Sequence, residues 1–353
     1  KRDWSSDVCS SDLNIKAELT STSRVSFHKY TFPAGENSHI LFDIGNKQGE
    51  SGEVKDARVT YTSDGKIEGY VETYPEYVKK YQTGASVKMF FSADIDKKPE
   101  SFGIFHKTLV EAGKNEATGV GAGLYLTFKT ADNESITIKA GLSLTSIENA
   151  RLNLETEARD LSFDKAKEMA HDNWNSYLSR IKVEGKVTSD KVKFYTGLYH
   201  ALKGRGLASD VNGAYPKNDG TIGQIPLGND NKPLYNFYNT DGIWGGQWNL
   251  IQLWALAYPE YLTDYVKTHL TVYNDAGWLG DGIANSKYVS GVGTNQVPLA
   301  IVAAYMCGIR DFEIEKAYEA CLKNEVTSEG RPFGAGKMDV GQFVKYGYVP
   351  YVE

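Results

Sequence analysis

The 353-residue sequence has little that could staple a fold covalently or hold a soft metal: three cysteines, Cys9, Cys307 and Cys321, with no Cys-x-x-Cys spacing, and six scattered histidines. An odd, widely spaced set of thiols excludes a disulfide framework and a zinc ribbon. No run of about 18 apolar residues exists to cross a membrane, and the first residues lack the basic and apolar blocks of a secretion signal. There is no P-loop, Gly-x-Ser-x-Gly, His-Glu-x-x-His or EF-hand loop, so nucleotide, serine-hydrolase and zinc-protease readings have no support. Positive charge is not in excess either: 39 Lys and Arg against 45 Asp and Glu leave a net charge of -6. That sign repels nucleic acid and anionic bilayers, so a neutral ligand is expected. No fixed-period repeat is visible, which excludes a solenoid.

What is present is a globular composition, 41% hydrophobic and 12% aromatic with 23 Tyr and 35 Gly, at a mean hydropathy of -0.42. Disorder and collagen-like repeats do not fit it, and the length suggests two units. Lys1 to Leu13 (KRDWSSDVCSSDL) is polar, serine-rich and without hydrophobic period. Its stretch from Asp3 resembles a translated sequencing-library adapter, so residues 1–13 are expected to be a non-native tail, with any natural leader lost.

From Ile15 to about Ala150 short runs rich in Val, Ile, Thr, Tyr and Phe alternate with turn clusters at Ala34–Asn37, Ser63–Gly65 and Ala131–Asn133. Ser86–Phe91, Gly123–Phe128 and Ser135–Ser143 suit half-buried strands, which predicts an antiparallel β-sandwich over 14–145. The period then changes. Ile147, Ala150, Leu154 and Ala158 fall on one helical stripe, and Ala166, Ala170, Trp174 and Leu178 on another, giving linker helices over 146–188. Ser189 or Asp190 is expected to cap the next helix, closed by Gly204. Trp244–Tyr258, Leu262–Asn274, Val297–Met306 and Ile314–Lys323 continue the helical series, so 189–353 reads as all-α. Long Gly-, Asn- and Asp-rich loops separate these helices, and long ordered loops often carry function. Cys307 and Cys321 flank apolar helical stretches and are expected to be buried, inert thiols.

Those loops hold Ser209 to Tyr215 (SDVNGAY), Asn218-Asp219-Gly220 and Tyr238 to Asn249 (YNTDGIWGGQWN). Amides and carboxylates beside Tyr and Trp suit a sugar site: hydroxyls need paired donors and acceptors, and the C–H face of a pyranose packs on an aromatic ring. The same hard oxygens suit calcium. Equally, Asp and Asn shape turns, and Trp244, Trp248 and Trp254 fill cores.

Several segments together, in order, resemble glycoside hydrolase family 92, the calcium-dependent exo-α-mannosidases. They are ELTSTSRVSFHKYTFP (Glu18–Pro33), IKAGLSLTSIENARLNLETE (Ile138–Glu157), FDKAKEMAHDNWNSYLSRIKVEG (Phe163–Gly185), FYTGLYHAL (Phe194–Leu202), SDVNGAY with NDG (Ser209–Gly220) and AAYMCGIRDFEIEKAYEA (Ala303–Ala320). The resemblance implies a multidomain β + α chain: an N-terminal antiparallel β-sandwich, linker helices, and part of a six-fold α/α toroid over 189–353. It also implies removal of terminal α-linked mannose from a glycan or oligosaccharide with inversion. One carboxylic acid protonates the leaving oxygen, and a second carboxylate about 6.5–9.5 Å away activates water. Calcium (Ca2+) as a mannose-distorting cofactor and a periplasmic, secreted or cell-surface location are further implications of the family.

Carried over by position, Asp210, Asn212, Asp219, Trp244 and Asn295 are the substrate-pocket or calcium-shell candidates, with Tyr215 and Trp248 as further pocket candidates. The sequence departs from the family where Trp244-Gly245-Gly246 replaces Trp-Asp-Thr and where Ala303 replaces an Asp before Ala304-Tyr305. It stops at Tyr346–Glu353 (YGYVPYVE), ahead of the Leu-Glu-Tyr and Gly-Asn-Asp-Asp segments that carry the family's acid and base. No catalytic residue is therefore assigned within 1–353, and the chain alone is expected to be inactive. A sugar-binding protein without catalysis, or an enzyme for another α-linked sugar, is the alternative.

Overall fold

The structure, a computed structural model, describes residues 7–10, 13–48, 51–81, 85–203, 206–240, 245–246, 248–280, 282–284, 287–288, 295–332, 334–336 and 339–350. It divides into two compact units. Unit 1 takes residues 1–76, 86–179 and 210–212, and unit 2 takes 77–85, 180–209 and 213–353.

Unit 1 is the β-sandwich. Its strands are β1 (Asp7–Ser10), β2 (Lys16–Ser21), β3 (Val25–Phe32), β4 (Gly35–Asp43), β5 (Glu53–Tyr61) and β6 (Ile67–Tyr74). After the short helix α1 (Glu76–Tyr81), which falls in unit 2 from Tyr77 onward, come β7 (Val87–Ile95), β8 (Ser101–His106), β9 (Leu109–Ala112), β10 (Glu116–Thr118), β11 (Ala122–Thr130) and β12 (Glu134–Ser143). An eight-stranded sheet runs β1-β2-β3-β12-β7-β6-β5-β10, and a four-stranded sheet runs β4-β11-β8-β9. Alternate residues of both, including Val59, Ile67, Leu124, Leu126, Phe128 and Ile136, meet in one dry core.

The sandwich expected over 14–145 is present, with three differences. Gly35–Asn37 do not form a turn but open β4, because Gly35 pairs with Thr130 and the chain reverses at Pro33–Ala34. Residues 7–10, inside the stretch read as a tail, form an edge strand against β2; the outer edge of β2 offers backbone groups that any extended segment can pair with. The helices α2 (Ile147–Ala158) and α3 (Phe163–Leu178) are not a free linker, since Leu154, Ala158, Phe163 and Ala166 bury against Val25 and Phe27 and make the helices part of unit 1. Glu157 fastens this layer, accepting from the Thr22 hydroxyl and the Arg24 backbone N–H and pairing with the Arg24 guanidinium at 2.8 Å.

Unit 2 is helical: α4 (Thr188–Leu202), α5 (Leu250–Ala257), α6 (Pro259–Ala276), α7 (Gln296–Met306), α8 (Ile314–Val326) and α9 (Val340–Tyr346), with small hairpins β13 (Ala214–Pro216) to β14 (Ile222–Gln224) and β15 (Ile283–Ala284) to β16 (Lys287–Tyr288). Neither Ser189 nor Asp190 caps α4. The helix starts at Thr188 with Val187 as its uncapped N-cap residue, and Asp190 sits in the first turn, where its charge suits the helix dipole. Helix α5 is shorter than expected because Gly245 and Gly246 lie ahead of it. Cys307 is exposed at the end of α7 rather than buried, and Cys321 is half-buried, its thiol pushed up to about 11 by burial.

Candidate functional site

In unit 1 the sequence-nominated Asp210 is the hub of a buried polar network. Its side chain is only 2% exposed. One carboxylate oxygen accepts from the Ser143 and Thr145 hydroxyls at the end of β12, and the other accepts from the Asn153 side-chain amide of α2 at 2.6 Å. Burial pushes the Asp210 carboxyl above its ordinary value, and the hydroxyl and amide donors oppose that shift. Asn153, fully buried, also donates to the Leu142 carbonyl and accepts from the Val211 N–H. Asn212 donates to Asn149 at 2.9 Å, and Asn149 donates in turn to Thr145. These links hold the backbone of 210–212 in one arrangement and leave Asn212 half-buried at its edge. Ser143, Thr145, Asn149 and Asn153 were missed by sequence reasoning. Asn153 lies on the buried stripe of α2, where a polar residue demands a partner, and that was a readable signal.

In unit 2 a second cluster forms around the β13–β14 hairpin. Tyr215 is buried, stacks on Phe237 at 4.5 Å and donates its hydroxyl to Asp275 at 2.6 Å. Lys217 pairs with the other Asp275 oxygen at 2.9 Å. Burial together with the Asp275 carboxylate pushes the Tyr215 phenol strongly upward, so it is a permanent donor. Gly223 opposite must be glycine, since a Cβ there would lie 2.2 Å from the Tyr215 ring. Exposed Asp219 shapes the hairpin turn by accepting from the Thr221 N–H and hydroxyl, while Asn218 receives the Lys287 ammonium and the Tyr288 N–H. Lys217, Asp275 and Lys287 had no local motif to reveal them.

Asn295 accepts from Asn324 and donates to Glu325 at the start of α7, and Trp248 is 76% exposed ahead of α5. Trp244 lies outside the described residues. The nominated residues therefore fall into separate groups: Asp210 with Asn212 in unit 1, Tyr215 with Asp219 on one hairpin of unit 2, and Asn295 and Trp248 elsewhere in it.

Among the described residues no group of three or more His, Cys, Asp or Glu side chains gathers. Both Asp210 oxygens are already taken by neutral donors, and both Asp275 oxygens by Tyr215 and Lys217.

The family model for the glycosyl hydrolase family 92 N-terminal domain matches residues 7–143, and that for the family 92 catalytic domain matches 149–353. The chain belongs to glycoside hydrolase family 92. Among solved structures, the family 92 inverting mannosidase BT2199 of Bacteroides thetaiotaomicron superposes with a TM-score of 0.84 at 20% identity, over 99% of this chain and 46% of that one. The family 92 α-mannosidase BT3965 of the same organism, solved with mannoimidazole, gives 0.83 at 20% identity over 96% of this chain and 42% of that one. The chain thus spans less than half the length of these solved family 92 proteins and shares their fold, here a β-sandwich followed by a helical unit. No curated protein sequence matches it.

Proposed function

We propose that this chain works as part of an inverting exo-α-mannosidase that removes terminal α-linked mannose from glycans. The observation that carries the reading is the match of both family 92 domains in order along 7–353. The mannosidases that share the fold lend it support. In such a reaction one carboxyl protonates the departing oxygen while another, roughly 6.5–9.5 Å away, draws a proton from the attacking water. The described carboxylates around the nominated residues are already committed: Asp210 to three donors, Asp275 to Tyr215 and Lys217, Asp219 to its turn and Glu325 to Asn295. They position loops, and the reacting pair is assigned to sequence outside residues 1–353. What the chain supplies is the frame: Asp210 fixes the loop that ends in Asn212, and the Tyr215–Asp275–Lys217 triad fixes the hairpin that carries Asn218 and Asp219.

Turnover of an aryl α-mannoside tests this assignment. The 353-residue chain is expected to release nothing, and the longer protein that carries it to release mannose. Hydrolysis by the 353-residue chain would place the acid and base inside it.

Gly245 favours a second reading, a glycan-binding protein without catalysis. A Cβ added at Gly245 meets nothing within 4 Å among the described residues, and the carboxylate that the family carries at this position is replaced by glycine. A longer protein that binds mannan but releases no mannose would select this reading.

A further inference from the structure

The open end of the sandwich holds a cavity of about 630 Å³ between the two sheets, within the range of small-ligand sites, roughly 300–1,000 Å³. Its floor is aromatic and aliphatic. Tyr61 of β5 and Phe102 of β8 meet with ring centroids 4.9 Å apart at 54°, and Ile95 of β7 lies beside them, all three continuous with the sandwich core. Its rim is polar: Ser63 and Asp64 in the β5–β6 turn, Lys98 after β7, and Asn115 before β10.

The charges there balance. Lys97, also on the wall, is neutralised by Glu134 and the Lys129 carbonyl, which leaves one ammonium, Lys98, against one carboxylate, Asp64. Asp64 uses one oxygen for the Thr62 hydroxyl, and Asn115 uses its amide N–H for the Tyr61 carbonyl. The Asn115 side-chain carbonyl and the Tyr61 and Ser63 hydroxyls have no hydrogen-bond partner among the described residues, and the exposed Asp64 carboxylate meets only the Thr62 hydroxyl and its own backbone N–H. An aromatic and aliphatic floor with mixed, charge-balanced donors and acceptors around it matches a pyranose, whose C–H face packs on rings while its hydroxyls both give and take hydrogen bonds. An anionic sugar or phosphate would call for uncompensated positive charge, and the cavity has none.

The position separates this cavity from the Asp210 network. Ile95 pairs with Ile138 of β12, and Ser143, which bonds Asp210, pairs with Phe90. Five residues of strand, about 17 Å at ~3.4 Å each, lie between the two.

We propose that this cavity is a second sugar site, which holds a neutral hexopyranose unit of the glycan away from the residues nominated for the terminal sugar. The choice of mannose as its unit rests on the function proposed above; the site itself does not. Affinity electrophoresis of the 353-residue chain in gels containing yeast α-mannan tests it, with parallel gels containing a neutral galactan or the polyanion polygalacturonate. Mannan should retard the chain. The double variant Asp64→Ala/Asn115→Ala, changed only at exposed rim positions, should bind about tenfold more weakly, the loss of one hydrogen bond to a charged group, with its melting temperature unchanged. Tyr61→Phe, which keeps the floor, should weaken binding by a smaller factor. Retardation by galactan alone, lost in the double variant, would support the site and count against mannose. Retardation unaffected by either variant, retardation by polygalacturonate alone, or none in any gel would overturn the proposal.

Discussion

Asp210 shows what a buried acid does when its hydrogen-bond donors are neutral hydroxyls and an amide. Replacing it with Ala leaves the Ser143, Thr145 and Asn153 donors unmatched inside unit 1, and we expect a loss of about 3 kcal/mol in urea denaturation, with Asp210→Asn costing about half of that. Because burial raises the Asp210 carboxyl above its usual value of 3.8, the folded state holds that proton more tightly than the unfolded chain. Its contribution is full below about 3.8 and is lost as pH rises through the higher folded value, so Asp210→Asn should flatten this part of the stability profile. His269 on α6 titrates with the opposite sign. It is fully buried, packs edge-on against Tyr265 at 4.8 Å, and neither ring nitrogen has a partner among the described residues. Burial lowers it from 6.5 to about 3, so its neutral ring favours folding above 6.5, and that advantage is lost as pH falls toward 3, at about 1.4 kcal/mol per unit. His269→Phe should remove the acid-sensitive limb; an unchanged limb would show that another group causes it. Composition announced neither behaviour, because both depend on what surrounds the group.

At the scale of elements, periodicity was the readable signal. The stripe of Ile147, Ala150, Leu154 and Ala158 lies on α2, and Ser146, which the sequence reading did not single out as a cap, caps it by accepting from the Asn149 N–H at 3.1 Å. Ser146→Ala is expected to cost about 1 kcal/mol, read as a lower melting temperature. Helix α6 runs past the expected Leu262–Asn274 at both ends and stops at Gly277, in the left-handed region at a φ of 78°; Gly277→Ala should cost roughly 1 kcal/mol. Where sequence reasoning failed, tertiary pairing overrode local chemistry. Gly35–Asn37 has turn composition but extends into β4 because β11 lies alongside. The small hairpins of unit 2 are held by Tyr215, Asn218 and Lys287 through partners far along the chain. The candidate site was legible in its loops and illegible in its anchors for the same reason: Asp210 and Tyr215 stand in recognisable segments, whereas Asp275 and Asn153 matter only through whom they meet.

For the molecule as a whole, the helical unit presents apolar surface that a self-contained globule would cover, with Leu256 85% and Met306 75% exposed. The 353-residue chain should bind a hydrophobic dye and self-associate, and Leu256→Glu with Met306→Glu should reduce both without lowering the melting temperature. A monomer that binds no dye would contradict this. The family match fixes the chain among the glycoside hydrolases and the shared fold fixes its frame, but the reaction is tested by its product. The most direct measurement is proton NMR of a terminal α-mannoside during its hydrolysis by the longer protein that carries this chain. We expect β-mannose to form first and to mutarotate later to the equilibrium mixture. First formation of α-mannose, or no mannose at all, would contradict an inverting α-mannosidase.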